Sequence, residues 1–323
     1  MRFLKTSGLL PGLFFFMLIL VVLFSKRPAA TFSKLHTAVS TLWEAPDIDT
    51  LPATHEGNQI RYGHDLLVRT AYYLGRKGRV AHLTNGMNCQ NCHLNGGTQN
   101  FGNPFSAVAS TFPKYRPRSG RIESIEFRIN DCLMRSLNGK SLDSLSPEMR
   151  AMVAYLKWVG KDVPKGVKPT GSGLDPLPFL PRAADPAKGR LVFAQKCQRC
   201  HGDNGQGVFT KDSVAFIYPP LWGKNSYNTA AGMYRLFQLA TFVKYNMPFG
   251  TTFSEPQLSN AEAWDVAAFV NSQPRPQKVY TNDWPELAKK PVDYPFGPYA
   301  DTFSERQHKY GPFAPIAKAK GNK

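Results

Sequence analysis

The chain has 323 residues, of which 42% are hydrophobic and 12% aromatic, and its formal net charge is +17. Its length exceeds the usual size of one hydrophobic core, which predicts two domains, and its apolar content excludes a mainly disordered protein. The 26 glycines and 26 prolines argue against long regular helices and repeat arrays. The positive charge indicates an anionic partner, such as nucleic acid, a membrane surface or a small anion.

An apolar run covers residues 9–24 and follows Arg2 and Lys5. It is slightly long for the core of a signal peptide and slightly short for a spanning helix. We therefore predict an export signal over residues 1–30, either cleaved or retained as an N-terminal membrane anchor. The rest of the chain is then expected in the periplasm, soluble or anchored to the inner membrane, and nucleic acid is not expected as a partner.

The pattern C-x-x-C-H occurs twice, at residues 89–93 and 197–201. It is the attachment signature of c-type haem, in which the two cysteines bind the vinyl groups and the histidine is the proximal iron ligand. A redox dithiol would need a βαβ context, and a zinc site would need further Cys or His pairs nearby. The sequence therefore predicts two covalently bound haems. The residues predicted to hold them are Cys89, Cys92, His93, Cys197, Cys200 and His201.

Each motif lies between similar helical patterns. Residues 63–74 and 146–159 flank the first motif with helical periodicity. A helix with Asp185 as N-cap precedes the second motif, and a helix with a capping box of Ser259 and Glu262 follows it. No stretch alternates apolar and polar residues well enough to predict a sheet. The predicted fold is mainly α, with two cytochrome c-like domains.

A Pro- and Gly-rich linker separates the two predicted domains, and an aromatic-rich tail follows the second. Disordered tails usually lack aromatic residues, so we predict that this tail packs across both domains. The predicted boundaries are 31–160 for the first domain, 161–184 for the linker, 185–273 for the second domain and 274–323 for the tail.

The sixth ligand of the second haem is predicted to be Met247, in an extended stretch before Pro248. A thioether ligand raises the haem potential and suits an electron carrier. Lys244 is an alternative ligand, because a neutral amine also binds iron. Met233 lies too near the haem motif and is assigned to the core.

The sixth ligand of the first haem has two candidates, Cys132 and Met134, and Cys132 could also be an inert buried thiol. Cys132 is the fifth cysteine and has no disulfide partner once the haems take the other four. Several arginines surround it in sequence and favour its thiolate form. These are Arg116, Arg118, Arg121, Arg128 and Arg135.

Four segments resemble the dihaem cytochrome c thiosulfate dehydrogenases, which interconvert thiosulfate and tetrathionate. They are residues 128–132, 135–140, 246–248 and 290–301, and the resemblance covers about residues 55–315. The segment with Cys132 is the specific part, since C-x-x-C-H marks any c-type cytochrome.

The resemblance implies His/Cys ligation at the first haem, with Cys132 at the active site and Arg118 and Arg128 binding substrate. It also implies Met247 at the second haem, with Lys244 as the alternative. An arginine that instead pairs with a haem propionate would be common in cytochromes.

The implied function is oxidation of two thiosulfate ions to tetrathionate, with electrons leaving through the second haem to a small c-type cytochrome or similar carrier. Tetrathionate reduction is the reverse possibility. Two other functions remain open: a non-catalytic dihaem electron carrier with Met134 and Met247 as ligands, and an enzyme that attaches sulfur substrates to a carrier protein. The histidines not expected to ligate iron are His36, His55, His64, His82 and His308, with His64 and His82 the nearest exceptions.

Overall fold

The structure is a computed structural model that describes residues 42–321. The predicted export signal over residues 1–30 and His36 lie outside this range. Within residues 42–321, no helix is both long enough and apolar enough to cross a membrane.

The first half of the described chain, residues 42–160, is helical and carries the first C-x-x-C-H motif. Its helices are α1 (His55–Val68), α2 (Thr70–Leu74), α3 (Leu94–Gly97), α4 (Val108–Thr111), α5 (Ile125–Arg135) and α6 (Pro147–Val159), with 3-10 turns at Ile48–Thr50 and Cys89–Asn91. The predicted helix at residues 146–159 is confirmed as α6, and Ser146 caps it by accepting a hydrogen bond from the Met149 amide. The other predicted helix starts earlier, at His55, and is interrupted at Arg69.

The second half, residues 185–273, repeats this arrangement around the second motif. Its helices are α7 (Pro186–Lys196), α8 (Gln198–His201), α9 (Leu236–Asn246) and α10 (Asn260–Ser272), with a 3-10 turn at Gly232–Tyr234. Asp185 caps α7, and Ser259 and Glu262 form the capping box of α10, which confirms both predicted caps.

The first and last helices of each half cross at a glycine. In the first half α1 packs on α6, and a Cβ at Gly63 would overlap the Ala151 carbonyl group. In the second half α7 packs on α10, and a Cβ at Gly189 would overlap the Asp265 carbonyl group. Any larger residue would force these helices apart, so the same close crossing supports both halves.

Two short antiparallel ribbons correct the prediction that the chain forms no sheet. They pair β1 (Lys114–Arg116) with β2 (Arg121–Glu123) and β3 (Val208–Phe209) with β4 (Phe216–Tyr218). Strands of two or three residues are too short to show alternation in sequence. In the first ribbon the turn closes when the Ser119 and Gly120 amides donate to the Arg116 carbonyl group.

The tail contains a 3-10 turn at Leu287–Lys289 and the helices α11 (Glu305–Tyr310) and α12 (Ala314–Gly321). Phe313 and Ile316 are buried in the second-half core. Asp293 is 1% exposed and accepts hydrogen bonds from Arg235 and from the Phe237 amide. Other tail residues contact the first half, as described below for the site.

Candidate haem sites and active site

The first C-x-x-C-H motif starts as a 3-10 turn, Cys89–Asn91, and ends at His93. The Nδ1 atom of His93 donates to the Asn103 carbonyl group at 2.7 Å, and the ring stacks on Phe105 at 4.4 Å. This hydrogen bond fixes the tautomer and leaves Nε2 as the free lone pair that a metal needs. Burial lowers the pKa of His93 to about 4, so the imidazole is neutral at physiological pH.

The second motif has the same arrangement. His201 ends α8, is buried, and donates from Nδ1 to the Pro219 carbonyl group at 2.8 Å. Burial also lowers the pKa of His201. Both predicted proximal ligands therefore hold a neutral ring with Nε2 available, and the residues of both motifs fit a c-type haem.

Three of the four motif cysteines lack the lowered pKa that a redox dithiol has. None of the four forms a disulfide within residues 42–321. Burial raises the pKa of Cys89 and of Cys92 to about 12 and that of Cys197 to about 11. Redox-active dithiols have a lowered pKa, because the thiolate is the reactive form. Haem attachment is thus a better use of these cysteines than dithiol exchange.

Cys132 lies on α5, close to the first motif. Its charge is one of the influences that raise the pKa of Cys89 and Cys92, after burial. Met134 follows two residues later on the same helix and therefore points to a different side. Its carbonyl group accepts a hydrogen bond from Asn228 at 2.9 Å. The two candidate sixth ligands therefore lie on different sides of α5.

Asp131 gathers three of the five arginines that the sequence analysis singled out. Its carboxylate accepts hydrogen bonds from Arg118 at 3.2 Å, from Arg128 at 2.7 Å and from Arg135. Burial acts to raise the pKa of Asp131, but the three guanidinium charges outweigh it and leave this pKa below its usual value. The charge of Cys132 raises the pKa of Arg128, so this arginine joins the Asp131 cluster to the thiol.

The remaining two arginines lie at the edge of this cluster. The Nε atom of Arg116 is 3.9 Å from a carboxylate oxygen of Glu123. Burial lowers the pKa of Arg116, and the charge of Cys132 acts in the opposite direction. Arg121 is exposed and stacks on Phe127 at 4.1 Å. Arg121 therefore does not contribute to the charged cluster around Asp131.

Residues of the tail contact the arginine cluster, and no sequence pattern predicted these contacts. Asp283 binds Arg135 with two hydrogen bonds of 2.6 and 2.8 Å, and the Arg135 guanidinium lies 3.8 Å from the centre of the Tyr280 ring. The Trp284 amide donates to the Arg118 carbonyl group at 2.6 Å. Asp283 and Arg135 are 148 residues apart, and no local pattern links them.

Met247, the predicted sixth ligand of the second haem, ends α9 in an extended conformation, with φ −138° and ψ 149°. Its side chain packs against a buried cluster at the junction of the two halves. The Nζ atom of Lys244, the alternative ligand, donates a hydrogen bond to the Leu258 carbonyl group. Met233 is 9% exposed and belongs to the same cluster, as expected of a core residue.

Histidines outside the motifs have other environments. His308 is 2% exposed and uses both ring nitrogens, donating from Nδ1 to the Val292 carbonyl group at 2.8 Å and contacting Asp301 through Nε2 at 3.0 Å. The His64 ring packs on Tyr155 with 5.1 Å between centroids, and burial lowers its pKa.

Two protein families match the chain. The SoxA/TsdA cytochrome c domain matches residues 80–164, and cytochrome c matches residues 186–274. Each match contains one of the two C-x-x-C-H motifs, so the mainly helical chain holds two cytochrome c domains.

The chain is similar to several thiosulfate dehydrogenases. It is 39% identical over 243 residues to that of Psychrobacter arcticus, covering 74% of this chain and 71% of the relative. It is 35% identical over 240 residues to that of Stutzerimonas stutzeri, covering 74% and 75%. The solved structure of thiosulfate dehydrogenase (TsdBA) from Marichromatium purpuratum, in its as-isolated form, superposes with a TM-score of 0.68 at 31% identity. That superposition covers 74% of this chain and 50% of the solved chain, so this chain spans about half the length of the solved relative.

Proposed function

Because this chain belongs to the thiosulfate dehydrogenase family of dihaem cytochromes c, we propose that it oxidises two thiosulfate ions to tetrathionate and delivers two electrons to a cytochrome acceptor. It is an oxidoreductase with two covalently bound c-type haems. One observation supports the proposed reaction above the others: Cys132 follows Asp131 on α5, and the Asp131 carboxylate gathers the guanidinium groups of three arginines.

The arginine cluster suits a pair of sulfur dianions. Two thiosulfates repel each other, and nearby guanidinium charges offset that repulsion and orient the terminal sulfurs. Asp131 engages only the Nη1 atom of Arg118 and of Arg128. A guanidinium has five N–H donors, so each of these arginines keeps others for the oxygen atoms of a substrate.

Cys132 supplies a sulfur nucleophile. Its thiolate forms an S–S bond with the terminal sulfur of one thiosulfate, with the loss of two electrons. The terminal sulfur of the second thiosulfate then attacks this adduct, breaks the bond to Cys132, forms tetrathionate and restores the thiolate. When bound, the two haems supply two one-electron acceptors, which matches the two electrons of the reaction. If Cys132 also holds the first haem, its sulfur would have to be free of that role, at least transiently, to react with substrate.

We assign His93 and Cys132 to the first haem and His201 and Met247 to the second. A haem held by a thiolate would have a lower potential than one held by a thioether, so these residues would suit electron entry at the first haem and exit through the second. The contact of Lys244 with the Leu258 carbonyl group favours Met247 over this lysine. The proposed acceptor is a small c-type cytochrome or similar carrier in the periplasm. The reverse reaction, tetrathionate reduction, uses the same residues.

Substitution of Cys132 tests the proposal, with Met134 as the matched control on the same helix. Cys132→Ala should retain two covalent haems and lose thiosulfate oxidation, because the sulfur nucleophile is gone. Met134→Leu should keep both the spectrum and the activity. A Cys132→Ala variant with full activity, or with a bis-histidine spectrum at the first haem, would contradict the proposed role. A changed spectrum of the first haem in Met134→Leu would instead support the non-catalytic carrier, in which Met134 is the iron ligand.

A further inference from the structure

Arg275 is a buried arginine that has no carboxylate partner among the residues the structure describes. The residue is 7% exposed, and its Nη2 atom donates to the Val270 carbonyl group at 2.6 Å. Its Nε and Nη1 atoms have no hydrogen-bond partner among residues 42–321. A guanidinium loses its hydration on burial, and an unpaired buried charge is strongly destabilising. An anion is therefore needed to compensate the charge of Arg275, and residues 42–321 do not supply one.

A comparison with Arg135 shows how unusual this is. Arg135 is 6% exposed and is the other arginine of similar burial within residues 42–321. It contacts two carboxylates, those of Asp131 and Asp283. Within residues 42–321, Arg275 contacts a carbonyl oxygen and the side chains of two tyrosines but no carboxylate, and its guanidinium lies 4.3 Å from the ring centre of Tyr227 and 5.2 Å from that of Tyr234.

The surroundings of Arg275 identify the missing anion. Both tyrosines belong to a buried cluster of second-half residues that also contacts the first half. The residues that pack against this cluster include Cys92, Leu94 and Met247. Cys92 of the first motif packs against the cluster that contains Tyr227, so the cluster reaches a haem-attachment cysteine. Arg275 thus contacts the rings of a cluster that also touches Cys92 of the first motif and Met247, the proposed ligand of the second haem.

We propose that Arg275 binds a propionate carboxylate of one of the two covalently attached haems at this junction. A haem brings two carboxylates into the interior with its apolar ring, and guanidinium–carboxylate pairs are among the strongest hydrogen-bonded ion pairs in proteins. The Nε and Nη1 atoms, which have no partner within residues 42–321, provide the donors. The pair would compensate both buried charges, and it would hold the haem edge against the tyrosine-lined cluster. This assignment depends on the haems and not on the reaction with thiosulfate.

The test is a redox titration of the holoprotein carrying Arg275→Gln. Without the guanidinium, the propionate charge is uncompensated and the ferrous state is disfavoured. The ferric-to-ferrous ratio of one haem at a fixed potential should rise by about tenfold, which for one electron equals about 59 mV. The propionate bending bands of that haem should also shift in the resonance Raman spectrum. A shift of the thiolate-ligated haem assigns the propionate to the first haem, and a shift of the other assigns it to the second.

Lys278→Gln is the matched control, because Lys278 carries the same charge in the same segment but is exposed. It should change neither the potentials nor the Raman bands. Unchanged potentials and bands in Arg275→Gln would overturn the proposal, and so would an effect confined to the KM for thiosulfate, which would make Arg275 a substrate residue. If Arg275→Gln fails to incorporate haem, Arg275→Lys keeps the charge but changes the donor geometry. Its propionate bands should then shift, and bands identical to those of the wild type would again overturn the assignment.

Discussion

Removal of the Arg128 side chain should lower activity far more than stability. Arg128 donates to Asp131 at 2.7 Å, and its side chain is 34% exposed. In Arg128→Ala, Asp131 keeps its contacts with Arg118 and Arg135. A partly exposed ion pair is worth only about 0.5–1 kcal/mol, so its loss lowers the melting temperature of a domain of 150–250 residues by roughly 1–4 °C.

The effect on catalysis should be larger, because Arg128 is the arginine whose pKa responds most directly to Cys132. A charge-assisted hydrogen bond to substrate contributes about 1.5–3 kcal/mol. Its loss corresponds to a decrease in kcat/KM of about tenfold to somewhat more than a hundredfold. Arg128→Lys should recover little of this, since an ammonium group cannot reproduce the bidentate contact of a guanidinium.

The assay is steady-state thiosulfate oxidation with a ferricytochrome acceptor, alongside haem content, visible spectra and thermal unfolding. Arg121→Ala is the matched control, because Arg121 is exposed, stacks on Phe127 and does not contact Asp131. Full activity in Arg128→Ala, or an equal loss in Arg121→Ala, would refute the reasoning. A changed haem potential with unchanged thiosulfate kinetics would assign Arg128 to a haem propionate instead.

Three further predictions concern the arginine cluster and the second haem. Asp131→Asn should destabilise the protein by about 3–5 kcal/mol at neutral pH. Because the pKa of Asp131 is lowered in the fold, thermal unfolding should show this difference from the wild type above about pH 4 and a smaller difference below it. Met247→Ala should remove the methionine signature of the second haem from the near-infrared spectrum, whereas Lys244→Ala should leave that spectrum unchanged, and the opposite result would reverse the assignment. Asp283→Asn weakens the double contact with Arg135 and should cost about 1.5–3 kcal/mol of unfolding free energy, with an unchanged melting temperature as the contradictory result.

Local features of the fold could be predicted from the sequence. The two C-x-x-C-H motifs, the N-cap at Asp185 and the capping box of Ser259 and Glu262 each depend on residues within a few positions of one another. The helix caps act through hydrogen bonds to the nearest backbone amides, so they can be predicted without the tertiary structure. The two small ribbons were missed because strands of two or three residues carry no periodicity.

The environment of the active site could be predicted only in part. The sequence placed Arg118 and Arg128 near Cys132, but it gave no sign that Asp131 holds both of them. The contact of Asp283 with the cluster joins residues far apart in the chain, and the missing partner of Arg275 is visible only once burial is known. These features depend on which distant segments meet, and composition and spacing do not encode that directly.

Titration of the holoprotein with thiosulfate, followed in the visible and near-infrared, tests the central claim most directly. The account predicts one thiolate-ligated and one methionine-ligated haem, with reduction of the haems on addition of thiosulfate and tetrathionate as the product. Two methionine-ligated haems that thiosulfate does not reduce would contradict it and would make the protein an electron carrier.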